Sequence, residues 1–298
     1  MFFNQRMEKN SIVIYNDNGC FNCEATMKPN DIFESGDIIV TVGKNNMEIF
    51  QFSKNNDNLN NNNKFIITKK TEINFNKNFN NDNFINNDNE ILCITLAKGF
   101  IICGHSNGLM SIWQPDPNNY LKYIQSEKMH NGAINKILCA QLSDNKNYLI
   151  SCSSDKTIKV YSMEDNKAVF EQKFEEEVMD IKFVKDFEQN NTFIISLKNG
   201  VLKALNEKFE ILFDIPSRFK TQTTRYVISL SNPEKNNPQN ALSNKGDILV
   251  ITEGKILDVF VWIKVNQQNN HKQNNHKVKH SNPHFYYPGA PFYPQNGF

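Results

Sequence analysis

Short apolar runs bounded by tight polar turns recur along this chain, and no other feature constrains its fold as strongly. The runs are rich in β-branched and aromatic residues, the composition that suits a pleated, half-buried surface. They fall at residues 11–15, 37–42, 47–52, 90–96, 100–103, 109–113, 133–140, 148–152, 157–161, 178–184, 192–197, 201–205, 226–230, 247–252 and 255–262. No longer window carries a helical period of 3.6, and the charged stretch from Glu171 to Glu177 is too short to count as a helix. The pattern predicts an all-β fold.

The turns between runs repeat as well. Ser153-Ser154-Asp155-Lys156 is the clearest, and Lys44-Asn45-Asn46, His105-Ser106-Asn107-Gly108, Lys198-Asn199-Gly200 and Glu253-Gly254 are its equivalents. Asn, Asp and Gly suit such connections because they tolerate positive φ. Successive turns lie roughly 61, 48, 44 and 55 residues apart, and the two long intervals contain Asn-rich and Pro/Asn-rich insertions. Without the insertions the spacing approaches the ~40–45 residues of a four-stranded propeller blade.

The residues from His130 to Ser162 carry a more specific resemblance. His130-Asn131-Gly132-Ala133-Ile134 is similar to the start of a WD repeat, and Tyr148 through Ser162 to its second turn and third strand. The chain thus resembles the WD-repeat β-propeller family. In that family a His, a Ser or Thr, an Asp and a Trp form a hydrogen-bonded structural set. The resemblance assigns those roles to His130, to Ser151 or Ser153, and to Asp155. Tyr161 stands at the Trp position and Ser162 at the Asp that follows it, so the set is incomplete. The unit ending Ile112-Trp113 keeps its Trp, but has Asn107 for the Asp and Gln114 after the Trp. The resemblance implies blades at about 30–75, 90–126, 130–175, 178–213 and 225–265. Residues 11–15 and 21–26 resemble a partial blade, as when a ring is closed by a strand from the other terminus, for a total of five to seven. The short blades also resemble, faintly, the propeller half of proteins that join a CCCH zinc finger to WD repeats.

Composition marks where the blades stop. Hydrophobic residues make up 39 % of the chain, and the 48 asparagines account for the shortfall. Sixteen of the 35 residues in 55–89 are Asn, residues 231–245 hold two Pro and several Asn, and 266–298 is a His/Lys/Asn tract with a Pro/aromatic tip. These segments read as loops or tails. The expected layout is an N-terminal extension at 1–10, a propeller at 11–265 with insertions at 55–89 and 231–245, and a tail at 266–298. Lys plus Arg is 33 against 32 Asp plus Glu, which excludes a globally basic nucleic-acid binder. No run approaches the ~18 apolar residues that span a bilayer, and Met1–Asn10 lacks the pattern of a secretory signal. Cys93, Cys103, Cys139 and Cys152 sit inside apolar runs, as reduced thiols do in the cytoplasm or nucleus.

Several motifs could carry chemistry. Gly104-His105-Ser106-Asn107-Gly108 fits the Gly-x-Ser-x-Gly elbow of serine hydrolases, which would make Ser106 a nucleophile. An elbow must lead into a helix, whereas Leu109–Trp113 alternates as a strand, so a hairpin turn is the simpler reading. Cys20-Phe21-Asn22-Cys23 could give two zinc ligands, but a structural site needs four. His271, His276, His280 and His284 could complete it only if the tail returns to the N-terminus. The lysines of 271–280 could touch RNA phosphates, or simply solvate a tail. The tip from His284 to Pro294 packs five aromatics and three prolines into eleven residues. Phe285, Tyr286, Tyr287, Phe292 and Tyr293 either form a linear docking peptide or a biased end. Dinucleotide, P-loop, kinase, zinc-protease and EF-hand signatures are absent from the sequence.

The expectation is therefore a non-enzymatic scaffold, without cofactor or small-molecule substrate, that binds other proteins of a multi-subunit assembly. Its contact surfaces would be the turns 106–108 and 154–156 and the aromatic tail. RNA or ribonucleoprotein binding through the basic tail is the alternative, and a Ser106 hydrolase a remote one.

Overall fold

The fold follows from one property of the middle strands, which are apolar on both faces. A sheet of that kind has to be covered on each side. The computed structural model describes residues 2–4, 11–16, 19–24, 30–35, 38–44, 46–55, 64–74, 89–116, 120–185, 190–215, 225–230, 245–253, 256–263 and 284–285. Every regular element among them is a β-strand.

The chain divides into two compact units, residues Met1–Gln141 with Lys146–Val178, and Leu142–Asn145 with Met179–Phe298. The first unit opens with a three-stranded sheet of β1 (Phe2–Asn4), β2 (Ser11–Asn16) and β3 (Gly19–Glu24). Three four-stranded antiparallel blades follow. Blade I is β4 (Asp31–Ser35), β5 (Ile38–Val42), β6 (Asn46–Asn55) and β7 (Lys64–Asn74). Blade II is β8 (Ile91–Ala97), β9 (Phe100–His105), β10 (Leu109–Asp116) and β11 (Tyr120–Lys128). Blade III is β12 (Ile134–Gln141), β13 (Asn147–Ser153), β14 (Thr157–Ser162) and β15 (Lys167–Lys173). The second unit holds blade IV, with β16 (Val178–Lys185), β17 (Asn191–Leu197), β18 (Leu202–Asn206) and β19 (Ile211–Ile215). It also holds blade V, with β20 (Arg225–Leu230), β21 (Lys245–Glu253), β22 (Ile256–Ile263) and β23 (His284–Phe285). Each blade is an up-and-down meander, so the five expected units and the partial one are all present.

Within the first unit the core lies between blades. Val40, Val42, Met47 and Ile49 of blade I pack with Ile91, Ile94, Ile101, Cys103, Trp113 and Leu121 of blade II. The opposite face of blade II, with Cys93, Ala97, Ile102 and Met110, packs with Ile134, Ile137, Leu149 and Tyr161 of blade III. The first strands of the three blades are also tied by polar contacts. Asp31 on β4 accepts the Ile94 N–H of β8 at 3.0 Å and pairs with Lys136 of β12 at 2.6 Å. At the other end of the blades Lys98, in the β8–β9 turn, pairs with Glu164, in the β14–β15 turn, at 2.8 Å. In the second unit all seven residues of β17 are buried, and Phe193 stacks on Phe209 with ring centroids 4.9 Å apart.

The last strand of a blade behaves differently. β15 is exposed along almost its whole length. In blades I to IV the pairing of the last two strands slips by one residue at the same place. The bulged residues are Lys70, Ile124, Val169 and Leu212. A bulge twists an edge strand and breaks its ladder, which protects a free edge from pairing with another chain.

Three segments expected to lack strands contain one each. β7 lies inside the Asn-rich stretch, where Phe65-Ile66-Ile67-Thr68 and Ile73 supply β-forming residues and Ile73 is 6 % exposed. β1 lies within residues 1–10 and pairs with β2. β23 lies within the tail, with Phe285 opposite Trp262. The 231–245 insertion falls outside the described residues except for Lys245, the first residue of β21.

Phe193 has no exposed surface. Truncation to Ala should cost about 3–5 kcal/mol, the usual range for a buried Phe. Chemical denaturation should show it as a midpoint shift, while the far-UV signature of the strands persists.

Candidate functional site

The turn after β13 is built by one side chain, Asp155. Its Oδ1 accepts the Thr157 N–H at 3.0 Å and the Thr157 hydroxyl at 2.6 Å. Its Oδ2 accepts the Asn131 N–H and faces His130 Nδ1, each at 3.0 Å. A carboxylate only accepts, so Nδ1 carries the proton. Nε2 then accepts from the Ser151 hydroxyl at 2.8 Å. His130 is 1 % exposed, and burial pushes its pKa below the usual value against the attraction of Asp155. Burial pushes Asp155 the other way, but the bonds from Thr157, Asn131 and His130 prevail and hold its carboxyl below the ordinary range. The site is a neutral histidine bonded to a charged carboxylate.

The structure brings His130, Ser151 and Asp155 together, with Thr157 as a further member that the spacing did not reveal. Tyr161 does not join them. Its hydroxyl reaches 2.5 Å to Asn166 Oδ1 in the following turn, while its ring belongs to the core between blades II and III.

Trp113 serves a different set, in blade II. Its Nε1 donates to Ser111 Oγ at 2.9 Å, and His105 Nε2 lies 2.7 Å from the same oxygen. His105 Nδ1 faces Asn89 Nδ2 at 3.3 Å. The Asn89 amide is oriented by its Oδ1, which accepts from the Ser106 hydroxyl and the Asn107 N–H. Asn89 thus donates to Nδ1 and His105 donates from Nε2, the opposite tautomer to His130. His105 is 4 % exposed, and burial alone pushes its pKa down to about 4. The sequence signal for this set is Ser111-x-Trp113, two positions that share one face of a strand.

The two sets are pressed together through glycine. Gly108 has φ of +82°, and its carbonyl accepts the N–H groups of Met129 and His130. A β-carbon there would lie 2.2 Å from the His130 carbonyl oxygen. The three turns at 105–108, 153–156 and 197–200 repeat one geometry. Asn107, Asp155 and Asn199 each accept, through Oδ1, the N–H two residues on at 3.0–3.1 Å. The residue between, Gly108, Lys156 or Gly200, has positive φ.

Ser106 is part of this scaffolding. Its Oγ accepts the Glu90 N–H at 2.9 Å, and β10 is a strand where a nucleophile elbow requires a helix. Cys20 and Cys23 occupy β3, whose odd spacing places the two positions on opposite faces of a strand. Of the tail candidates, the backbone of Phe285 is in β23, and Tyr286, Tyr287, Phe292 and Tyr293 lie outside the described residues.

Residues 122–162 match the family model of the WD domain, G-beta repeat. No curated protein matches the chain. Among the solved structures that share its fold are two of BBS1N in complex with ARL6DN. The form soaked with lead has a TM-score of 0.57 and 8 % identity, over 85 % of this chain and 72 % of that one. The form soaked with mercury has a TM-score of 0.56 and 10 % identity, over 84 % and 69 %. The chain has the fold of a WD-repeat-like β-propeller and carries one recognisable WD repeat. That repeat starts within the last strand of blade II and ends with the third strand of blade III, so sequence repeat and structural blade are offset by one strand. The resemblance to CCCH zinc finger proteins finds no support in these matches.

Asp155→Ala would strip the buried His130 and the Asn131 N–H of their acceptor. It should destabilise the protein by about 2–4 kcal/mol, with Asp155→Asn retaining part of the loss, as read by denaturant titration. Acid should act through His105 and, in the same direction, through His130, whose pKa burial also lowers. The unfolded His105 imidazole takes up a proton below pH ~6.5 and the folded one only near its pKa of about 4. The unfolded chain binds more protons in that window, so stability falls as pH drops through it, by on the order of 3 kcal/mol at the low end. His105→Asn should make the profile shallower between pH 6.5 and 5, above the range where carboxylates protonate, with the remaining slope belonging to His130.

Proposed function

We propose that the chain is a non-enzymatic scaffold that binds other proteins of a multi-subunit assembly in the cytoplasm or nucleus, using no cofactor and no small-molecule substrate. One observation carries the reading. The loops at 105–108, 130–132 and 153–156 are fixed from below by buried hydrogen-bonded sets, while Asn107 and Asn131 remain exposed on them. Loops ordered before binding lose little entropy on docking, and such surfaces suit protein partners. The propeller neighbours lend support, since BBS1N is solved in complex with ARL6DN. The WD-repeat family is generally non-enzymatic, and Ser106 spends its hydroxyl on the loop itself. Among the described residues no helix is long and apolar enough to cross a membrane.

The proposed contact residues are the turns 106–108 and 154–156 together with Phe285, Tyr286, Tyr287, Phe292 and Tyr293. Affinity capture of the tagged full chain from its native cells, with and without RNase, tests this. A fixed set of proteins that survives RNase is expected, and partners lost on RNase treatment would replace this reading with ribonucleoprotein binding. Truncation after Phe285 leaves β23 in place. It should release the partners without lowering the melting temperature if the tail carries the contact, and unchanged partners would confine the contact to the turns.

A further inference from the structure

Asparagine followed by glycine is a chemically labile pair. The glycine nitrogen can attack the asparagine side chain within one chain, and a glycine carries no β-carbon to hinder it. The sequence holds five such pairs. Three lie wholly among the described residues, Asn107-Gly108, Asn131-Gly132 and Asn199-Gly200, and the fold treats them differently. Two are locked. The attacking nitrogen must first lose its proton, and Gly108 donates that proton to the His105 carbonyl at 3.0 Å, as Gly200 does to the Leu197 carbonyl at 2.9 Å. Both glycines are buried. The side chains are held too, Asn107 Oδ1 by the Leu109 N–H at 3.0 Å and Asn199 Oδ1 by the Val201 N–H at 3.1 Å. Groups bonded in this way meet water only when the turn opens.

Asn131-Gly132 lacks these restraints. Asn131 is exposed and Gly132 half-buried. Among the described residues, neither the Asn131 side chain nor the Gly132 N–H has a hydrogen-bond partner. Asn131 is tied there by its backbone N–H, which Asp155 Oδ2 accepts at 3.0 Å. Packing nevertheless requires glycine at 132, where a β-carbon would lie 2.8 Å from the Asp155 nitrogen. The fold thus fixes the unhindered neighbour and leaves the amide beside it loose.

We propose that Asn131 is a site of spontaneous deamidation in the folded protein, converted to aspartate and isoaspartate while Asn107 and Asn199 are preserved. Hydroxide removes the Gly132 amide proton, and the nitrogen forms a bond to Asn131 Cγ. The Cγ–Nδ2 bond then breaks, and Nδ2 takes a proton from water and leaves as ammonia. Water opens the cyclic imide at either carbonyl, so no oxidant or reductant is needed. One opening gives aspartate, a new negative charge on the residue whose N–H bonds Asp155. The other routes the backbone through the former side chain and adds a methylene just ahead of Gly132. That segment is closely packed, since a β-carbon on Gly108 would lie 2.6 Å from the Gly132 carbonyl oxygen. Isoaspartate therefore loosens the turn that holds His130 and Asp155. The site stands whether or not this loop docks a partner.

The test ages the full chain in mildly alkaline buffer made with heavy-oxygen water, so that only conversions during incubation carry the label. Digestion in ordinary water and site-resolved mass spectrometry then read each pair. Asn131 should convert at least about tenfold faster than Asn107 and Asn199. In denaturant the three should convert at similar rates, because glycine follows each of them. Asn131→Gln should abolish the label at 131 with an unchanged melting temperature, since the longer side chain closes a ring poorly. Aged protein should melt below the Asn131→Asp variant, because isoaspartate alone lengthens the backbone. Similar native rates at the three pairs, Asn107 or Asn199 ahead of Asn131, or the same selectivity in denaturant would overturn the proposal. So would aged, labelled protein that melts together with the Asn131→Asp variant.

Discussion

The structure depends on sheets that are apolar on both faces. β17 buries every residue, β9 five of six and β13 five of seven, and none of these sheets could stand in water with one face open. In the first unit blade II is covered on one side by Val40, Met47 and Ile49 of blade I and on the other by Ile134, Ile137 and Leu149 of blade III. Such a blade is not an independent folding unit, and its stability comes from its neighbours, as in other repeat architectures. The polar tie of Asp31 to Ile94 and Lys136 then fixes the register of three first strands that apolar contact alone would leave free to slide.

The same constraint explains how much of the fold was legible in the sequence. First, second and third strands are covered on both sides, so they read as continuous β-branched and aromatic runs. Last strands pack on one side at most. Lys167-Ala168-Val169-Phe170-Glu171-Gln172-Lys173 has no apolar run because it is exposed nearly throughout, and β11 is mostly exposed as well. Where a blade ends is written in pairing geometry, in bulges at Lys70, Ile124, Val169 and Leu212, and a residue string carries no direct record of that.

The site was legible to a different degree. His130, Ser151 and Asp155 converge because their spacing follows a known repeat. Thr157 joins through a hydroxyl that any turn could have placed there. The blade II set uses other chemistry for a similar task. Its histidine sits at the end of the second strand, and Asn89, before the first strand, takes an orienting part. Matching residue by residue against a repeat pattern picks out Trp113 but misses the set around it, since Ser111 and Asn89 are recognisable only once they meet His105.

Two histidines with opposite tautomers also show what these sets contribute. A buried neutral ring with both nitrogens bonded adds little net stability over an apolar side chain of the same shape, but it costs several kcal/mol once a partner is removed. Its positive role is geometric. Apolar stacking would tolerate many loop conformations above it, whereas His130 must find Asp155 on one side and Ser151 on the other, and Gly108 must pass within van der Waals range of the His130 carbonyl. The core makes the propeller stable, and the polar sets make its loops single-valued. A turn such as 197–200 in blade IV keeps the Asn199 cap and the positive φ of Gly200, which shows that the hairpin itself can form without a histidine. What the histidine adds is a fixed link between one hairpin and the chain that enters the blade, the arrangement a docking surface requires.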